Sequence, residues 1–331
     1  MSQHSIVVVG ASAGGVSALQ KLFSQFSPDV QAAFFVVLHI PAESPSVLPS
    51  LLNSAGPLCA KPAEDNEKIQ LGHVYVAPPD FHLLVKSGYI HLHKGPKENR
   101  HRPAIDPLFR SAAIAYPGQT IGVVLTGYLD DGTAGLEAVK RCGGIAIVQD
   151  PDDADCPDMP MNAIAGVEVD YQLPLRRIGK TITALVKQPA ADVTNVPKDI
   201  VMEAKIAEQT VSNIRREEML GEPVPISCPE CNGPLWQMES KGIERYRCHV
   251  GHGYTAKTLM ASQDTVVEQA LWAAMRTMEE RANLSRMTYK NEVERGRTRS
   301  AQSYEEQSVT LRAHAQVIRK LLVEGAQQAY Y

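Results

Sequence analysis

Short apolar runs alternate with amphipathic stretches through the first half of the chain. Ile6–Val9 is a β-branched run that closes in Gly10-Ala11-Ser12-Ala13-Gly14. Val16, Leu19, Phe23 and Phe26 then fall on one face of a helix, so the segment reads as strand, tight turn, helix. Ala33–Leu38 (AFFVVL) predicts a second buried strand with His39 at its carboxyl end, and Pro45–Asn53 a short helix. Val74–Ala77, His82–Val85 and Tyr89–His93 predict short strands, the last two joined by the hairpin signal Lys86-Ser87-Gly88. Asp106-Pro107 reads as an N-cap followed by proline at the first helical position, opening a helix to about Ala115. Ile121–Thr126 is the next buried strand, Gly127–Gly132 a loop at its carboxyl end, and a helix runs on to about Arg141, closed by Gly143-Gly144. Ile145–Gln149 predicts a further strand and Leu175–Val186 a closing helix. The pattern is that of an α/β fold, a doubly wound, mostly parallel sheet with a small antiparallel excursion.

Periodic sequence gives way to Pro, Ala and Asp near Gln188–Pro197, which marks a boundary. Asp199–Leu220 reads as a helical connector, Ile226–Tyr254 as a small unit holding three cysteines, and Leu259–Met287 and Ser308–Leu322 as the two arms of a C-terminal helical hairpin, with polar Lys290–Arg299 between them. The expected organisation is a catalytic-type domain over 1–188, a linker and connector helix over 189–225, a cysteine unit over 226–258 and helices over 259–331. The segment after Gln188 is then a candidate regulatory or docking arm, separable from chemistry carried by the first domain. With 331 residues and 44% hydrophobic content the chain has the composition of a globular protein of two or three domains. A net charge of −4 gives no electrostatic case for nucleic acid or an anionic membrane surface. No apolar run reaches the roughly 20 residues of a membrane span. The core strand begins within a few residues of the start, so no signal peptide is expected. Cysteines grouped at metal-like spacing point to a reduced, cytoplasmic setting.

In an open parallel sheet, sites form outside the carboxyl ends of the strands. Ser12, His39 and Asp131 all lie at such ends. Serine needs a base to act as a nucleophile, histidine is that base near neutral pH, and a carboxylate fixes the histidine tautomer. The G-x-S-x-G pattern at Gly10–Gly14 has the mechanical reading of a nucleophile elbow. Two other readings compete: a glycine turn that only lets strand and helix pack closely, and a dinucleotide turn one residue from G-x-G-x-x-G. The dinucleotide reading loses its middle glycine to Ser12 and its ribose-binding acid to His39. The order Ser–His–Asp also departs from that of α/β-hydrolases, in which the acid precedes the histidine. Asp130 and Asp131 could each serve as a plain N-cap for the following helix.

The segments GASAGG, LHIP, PAEDNEKIQLGHVYVAPPDFHL, NRHRPAIDPLF, VVLTGYLDDGTAGL and DMPMNAI resemble, in order, the catalytic domain of bacterial chemotaxis protein-glutamate methylesterases, the CheB family. The resemblance covers roughly Ile6 to Val186. It implies a methylesterase-like fold with Ser12 as nucleophile, His39 as base, Asp131 as orienting acid, backbone N–H groups of Ala13 and Tyr128 as oxyanion hole, and no catalytic cofactor. The substrate implied is a γ-methyl-glutamyl ester on a methylated chemoreceptor or similar helical signalling protein, with glutamine deamidation as a second activity. The family loop commonly reads G-M-G-x-D-G, whereas here it is G-Y-L-D-D-G, so Asp130 adds a charge where the family often has a neutral residue. The usual N-terminal receiver domain is not expected in this chain, which removes phosphorylation control of that kind. In NRHRPAID, Arg102 could bind a substrate carboxylate. Loop anchoring and helix capping are the plainer roles for His101, Arg102 and Asp106.

Cys228-Pro-Glu-Cys231-Asn-Gly and Cys248-His-Val-Gly-His252-Gly form two knuckles separated by sixteen residues. That spacing suits a closed tetrahedral zinc site with Cys228, Cys231, Cys248 and His252 as ligands and His249 as the competing fourth. Four protein ligands leave no open position, so the expected zinc is structural. The alternative to an esterase is a non-catalytic signalling scaffold that works through this unit and the helices.

Overall fold

The computed structural model describes residues 3–193, 195–208, 221–238 and 243–328. It divides into two compact units, Met1–Leu259 and Met260–Tyr331. The second half of the predicted connector, after Glu208, lies outside the described residues.

A seven-stranded sheet organises the first unit. Its order is β3 (Cys59–Pro62), β4 (His73–Val76), β2 (Ala33–Leu38), β1 (Ile6–Ala11), β7 (Thr120–Val124), β8 (Ile145–Gln149), β9 (Tyr171–Leu173). Every neighbouring pair is parallel. Such a sheet must bury both faces, which is why its strands read as continuous apolar runs. Val7, Val9, Phe34 and Val36 face one layer, packed on Leu19 and Phe23 of α1 (Gly15–Phe23), Leu52 of α2 (Leu48–Ala55) and Ile178 and Ile182 of α6 (Leu175–Leu185). Ile6, Val8, Phe35 and Val37 face the other, packed on Phe109 of α3 (Ile105–Ala115), Leu136 of α4 (Thr133–Arg141) and Met159 of α5 (Asp158–Gly166). The antiparallel excursion is a separate hairpin, β5 (His82–Lys86) and β6 (Tyr89–His93).

Several local expectations shift. The buried side of α1 is Gly15, Ala18, Leu19, Leu22 and Phe23, whereas Val16 is 40% exposed and Phe26 is buried beyond the helix end. β3, α5 and β9 were not among the expected elements. β3 and β9 are three- or four-residue sheet edges with little apolar sequence, and α5 is weakly amphipathic, with only Met159, Pro160 and Ala163 buried. Asp106 does not cap its own helix, whose N-cap is Ala104. Its Oδ1 instead accepts from the N–H groups of Gly132 and Gly135, so it caps α4 across the interface between the two helices.

After α7 (Lys198–Glu208) comes a four-stranded antiparallel sheet, β10 (Gly221–Ser227), β11 (Pro234–Met238), β12 (Arg245–Cys248) and β13 (Gly253–Thr255). It carries the cysteines and is tied to the rest of the first unit through buried charge. Glu98 accepts from Arg110 Nη2 at 2.7 Å, and Arg247 Nη2 of β12 stands 3.2 Å from its other oxygen. Glu203 of α7 accepts from Arg110 (3.0 Å), Arg247 (3.0 Å) and Arg245 (2.8 Å). Burial alone would push both carboxyls up, but the arginines hold both below the ordinary glutamate range. Removing one member of such a cluster strands its partners in a dry interior, which costs about 3–5 kcal/mol. The expected separability of the segment after Gln188 therefore meets three elements, α3, α7 and β12, that share one set of buried charges.

The second unit is built from most of α8 (Ala256–Glu294) and from α9 (Thr298–Gln328). Ser308 Oγ donates to the carbonyl of Ala282, and Ser285 Oγ to Gln307 Oε1, which sets the helices antiparallel. Ala282, Ala301 and Ala315 line the seam, and their small side chains let the backbones approach closely. No helix among the described residues is long and apolar enough to cross a membrane.

Candidate active site and metal centre

The order of the sheet reverses between β1 and β7, and Ser12 sits just past the end of β1 at that switch point. The chain turns there because Ser12 N–H donates to the Thr126 carbonyl at 2.9 Å and Gly15 N–H returns to the Ser12 carbonyl at 2.8 Å. Gly14 takes the left-handed conformation that completes the turn, at φ 74°, a value costly for any residue with a Cβ. Positive φ falls at Gly14 and not at Ser12, so the turn differs from the strained nucleophile elbow of α/β-hydrolases. Thr126 Oγ1 donates to the Ala13 carbonyl and accepts from Cys156 N–H, which pins the turn to the loop before α5. A Cβ on Gly127 would stand 2.7 Å from Ser12 Cβ, so the Gly127–Tyr128 backbone passes against the serine.

His39 follows β2, the neighbour of β1. Its Nδ1 lies 3.2 Å from Ser12 Oγ and its Nε2 lies 2.7 Å from Asp131 Oδ2. Both side chains of the His39–Asp131 pair are 5% exposed or less. Asp131 Oδ2 also accepts from Ile105 N–H at 2.7 Å. Its Oδ1 accepts from Asn99 Nδ2 (2.8 Å), Gly132 N–H (3.0 Å) and Asp106 N–H (3.2 Å). Burial raises this carboxyl, but the bonds to His39, Ile105 and Asn99 outweigh it and hold it down at about 2. A carboxylate held in that state can only accept. The imidazole proton therefore sits on Nε2, and Nδ1 presents a lone pair to the serine hydroxyl.

Three neighbours complete the surroundings. The His101 ring stacks on the His39 ring, with centroids 3.7 Å apart and planes 8° from parallel. Burial, reinforced by His39, drops His101 to about 3, so the stacked ring stays neutral when its neighbour takes a proton. Asp130, next in sequence to the acid, makes a different bond: it accepts from Thr255 Oγ1 at 2.8 Å, and burial raises it to about 6. Asp106, buried beside Asp131 and sharing the Asn99 amide with it, is pushed well above the ordinary carboxyl range by burial and by Asp131. Leu129, directly before Asp130, holds φ 62°, and its carbonyl accepts from Asn162 Nδ2 at 2.6 Å. That conformation costs a branched residue about 1–3 kcal/mol.

The other expected site residues divide. Ala13 and Tyr128 flank the serine on the turn and on the loop. The Arg102 guanidinium is occupied by Asp80, with Nε donating at 2.9 Å, and by the Gly95 carbonyl, which is the anchoring arrangement for the loop rather than a free cation. Asn99 touches Asp131 and His101 touches His39, whereas the sequence pattern marks His101 only as a loop residue and gives Asn99 no signal. Asn99 lay inside the quoted NRHRPAID segment, but an asparagine carries no titratable signal.

Cys228, Cys231, Cys248 and His252 present ligand atoms that all lie within 4.8 Å of one another. Cys231 Sγ is 3.6 Å from Cys248 Sγ, and His252 Nδ1 is 3.4 Å from Cys248 Sγ and 3.7 Å from Cys228 Sγ. A tetrahedron with metal–sulfur bonds of about 2.3 Å has edges of roughly 3.8 Å, so the set fits a four-coordinate ion. His249 instead packs its ring against Gly233. The cluster could hold a metal, and His252 rather than His249 completes it.

The sheet, the switch-point serine and its bonded histidine and aspartate define a parallel α/β hydrolase-type centre. The profile of the CheB methylesterase family matches residues 7–182, and the chain belongs to that family. The crystal structure of the Thermotoga maritima CheB methylesterase catalytic domain is similar at 37% identity and a TM-score of 0.54, over 56% of this chain and all of that one. A Leptospira interrogans protein provisionally named protein-glutamate methylesterase/protein-glutamine glutaminase is 38% identical over 183 residues, 55% of this chain and 95% of its own length. The Hydrogenovibrio crunogenus protein-glutamate methylesterase/protein-glutamine glutaminase is 37% identical over 189 residues, and the chain spans only half of its length. The family match lies within the first unit.

Proposed function

We propose that the chain is a serine esterase that hydrolyses γ-methyl esters of glutamate side chains, releasing methanol, on a methylated chemoreceptor or a similar helical signalling protein. The observation that carries it is the unbroken chain of bonds Ser12–His39–Asp131 at the switch point of a CheB-family sheet. In this reading Ser12 Oγ attacks the ester carbonyl carbon while its proton passes to His39 Nδ1. Backbone N–H groups of Ala13 and Tyr128 take the developing oxyanion. His39 returns the proton to the departing methoxide, and methanol leaves. Water, deprotonated by His39, then cleaves the glutamyl-serine ester and regenerates the serine. A glutamine amide would follow the same course with ammonia as leaving group. Cysteines that act as ligands rather than disulfides fit a reducing, cytoplasmic compartment. The purified full chain should release methanol from methylated receptor helices and take up one fluorophosphonate label at Ser12. An unlabelled chain that releases no methanol from any methylated receptor would favour the scaffold reading.

We also assign the Cys228–Cys231–Cys248–His252 cluster to a structural zinc. When bound, zinc would fasten β10 and β11 to β12 and β13 in a sheet with a small apolar core, and it would take no direct part in the chemistry. Metal analysis should find about one zinc per chain, in keeping with one closed site. Cys231→Ser should lose it. Retention of zinc in His252→Ala, with loss in His249→Ala, would reassign the fourth ligand. The boundaries at 188, 225 and 258 are kept as the proposed division of labour between catalytic domain, connector, metal unit and helices.

A further inference from the structure

The strand that follows the metal cluster runs into the triad. β13 begins at Gly253, directly after His252. Gly253 N–H donates to the Lys97 carbonyl at 3.3 Å, and Asn99 N–H donates to the Gly253 carbonyl at 2.8 Å. The segment 97–99 thus pairs with β13 in parallel register. Asn99 and Arg100 both hold positive φ, at 49° and 74°. Two successive residues in the left-handed region persist only where their surroundings over-determine them. Here those surroundings are Gly253, the Glu98–His101 backbone bonds and the buried arginines around Glu98.

The Asn99 amide is divided between the two sides. Its Nδ2 donates to Asp131 Oδ1 at 2.8 Å and to Asp106 Oδ2 at 2.7 Å. Its Oδ1 accepts from Thr255 N–H at 3.2 Å and from Thr258 Oγ1 at 3.2 Å. The Asp131 carboxylate at one end requires a donor, and a backbone N–H at the other requires an acceptor, so the amide has one orientation. Asn99 is 3% exposed. Two residues, Gly253 and Tyr254, separate Thr255 from the ligand His252. The same threonine hydroxyl holds Asp130, the residue beside the triad acid.

We propose that Asn99 is a positioning residue whose amide is set by β13, so that metal loading of the cysteine cluster controls the turnover of the esterase. The mechanism is geometric. Without the metal, β13 loses its anchor at His252, the strained turn at Asn99–Arg100 relaxes, and Asp131 loses one of its fixed donors. Asp131 then orients His39 less well, while substrate binding at the face of Ser12 is untouched. The inference rests on the esterase reading above.

The test uses the full chain, stripped of metal by a chelator and reloaded with zinc, with p-nitrophenyl acetate as substrate. Stripping should lower kcat about ten-fold or more, leave KM within about two-fold, and be reversed by zinc, the pattern of an interaction that matters only in the transition state. Amide hydrogen exchange of residues 97–101 should rise on stripping. In Asn99→Ala the basal kcat should already be low, and stripping should change it less than about two-fold, because two changes on one path are not additive. Thr258→Val, which keeps all four metal ligands, should lower kcat several-fold at full zinc content, and this holds the question open to refutation even if the stripped chain unfolds. Unchanged kcat on stripping, equal losses in the wild-type and Asn99→Ala chains, or full kcat in Thr258→Val would overturn the inference. A loaded chain with no esterase activity at all would instead overturn the functional reading on which it rests.

Discussion

Ser12→Ala and His39→Ala should each lower methanol release by about 10⁴-fold or more, and the double variant should be little worse than either. The expectation follows from the 3.2 Å separation of Ser12 Oγ and His39 Nδ1. A hydroxyl that has lost its base is a poor nucleophile, and a base without its hydroxyl has nothing to activate. The two losses therefore describe one event. Residual rate should come from substrate binding and oxyanion stabilisation, which neither change removes. Fluorophosphonate labelling should vanish in Ser12→Ala and become very slow in His39→Ala. Near-normal methanol release by Ser12→Ala would end the covalent mechanism, and multiplicative losses in the double variant would mean that serine and histidine act separately.

Asp131→Asn should be nearly as severe, on the order of 10⁴-fold in kcat, by the tautomer argument. An amide in place of the carboxylate can turn its NH₂ toward Nε2. The ring proton would then move to Nδ1, the nitrogen that must accept from Ser12. Asp131 stays ionised through the working range because its carboxyl is held near 2, so the wild-type enzyme never meets this difficulty at ordinary pH. Asp130→Asn should change kcat by only a few-fold, since Asp130 bonds Thr255 and not His39. Steady-state kinetics of both variants between pH 6 and 9 would separate the roles. Equal damage from the two would undo the assignment of Asp131.

The positions of Ser12, His39 and Asp131 were legible because Ser12 and His39 directly follow strands that apolar runs announce, and Asp131 lies in the loop that leads from such a strand into α4. Elements with weaker patterns were not. β3 and β9 carry too few apolar residues to stand out. Asp106 read as the cap of its own helix because sequence spacing shows only local partners, whereas the N–H groups that donate to it, those of Gly132 and Gly135, come from the start of a helix that begins twenty-seven residues later, at Thr133. The cysteine cluster was readable from spacing, but its attachment was not. Glu98, Arg110, Glu203, Arg245 and Arg247 look like ordinary surface charges, and only the fold shows that they neutralise one another in the interior. Asn99 is the sharpest case, since its importance lies wholly in what stands at the two ends of its amide.

The buried charge cluster also bears on how the chain is made. Glu98 and Arg247 are 149 residues apart. At roughly 5–20 residues per second, a ribosome needs on the order of ten seconds to travel between them. During that interval the parallel sheet, already complete by Leu173, can fold with Ser12, His39 and Asp131 in place. Glu98 then has Arg110 alone, and the turn at Asn99 has no β13 beside it. The nascent chain is thus a finished sheet with an unfinished acid, and its last missing contacts emerge only after the second cysteine knuckle has been translated.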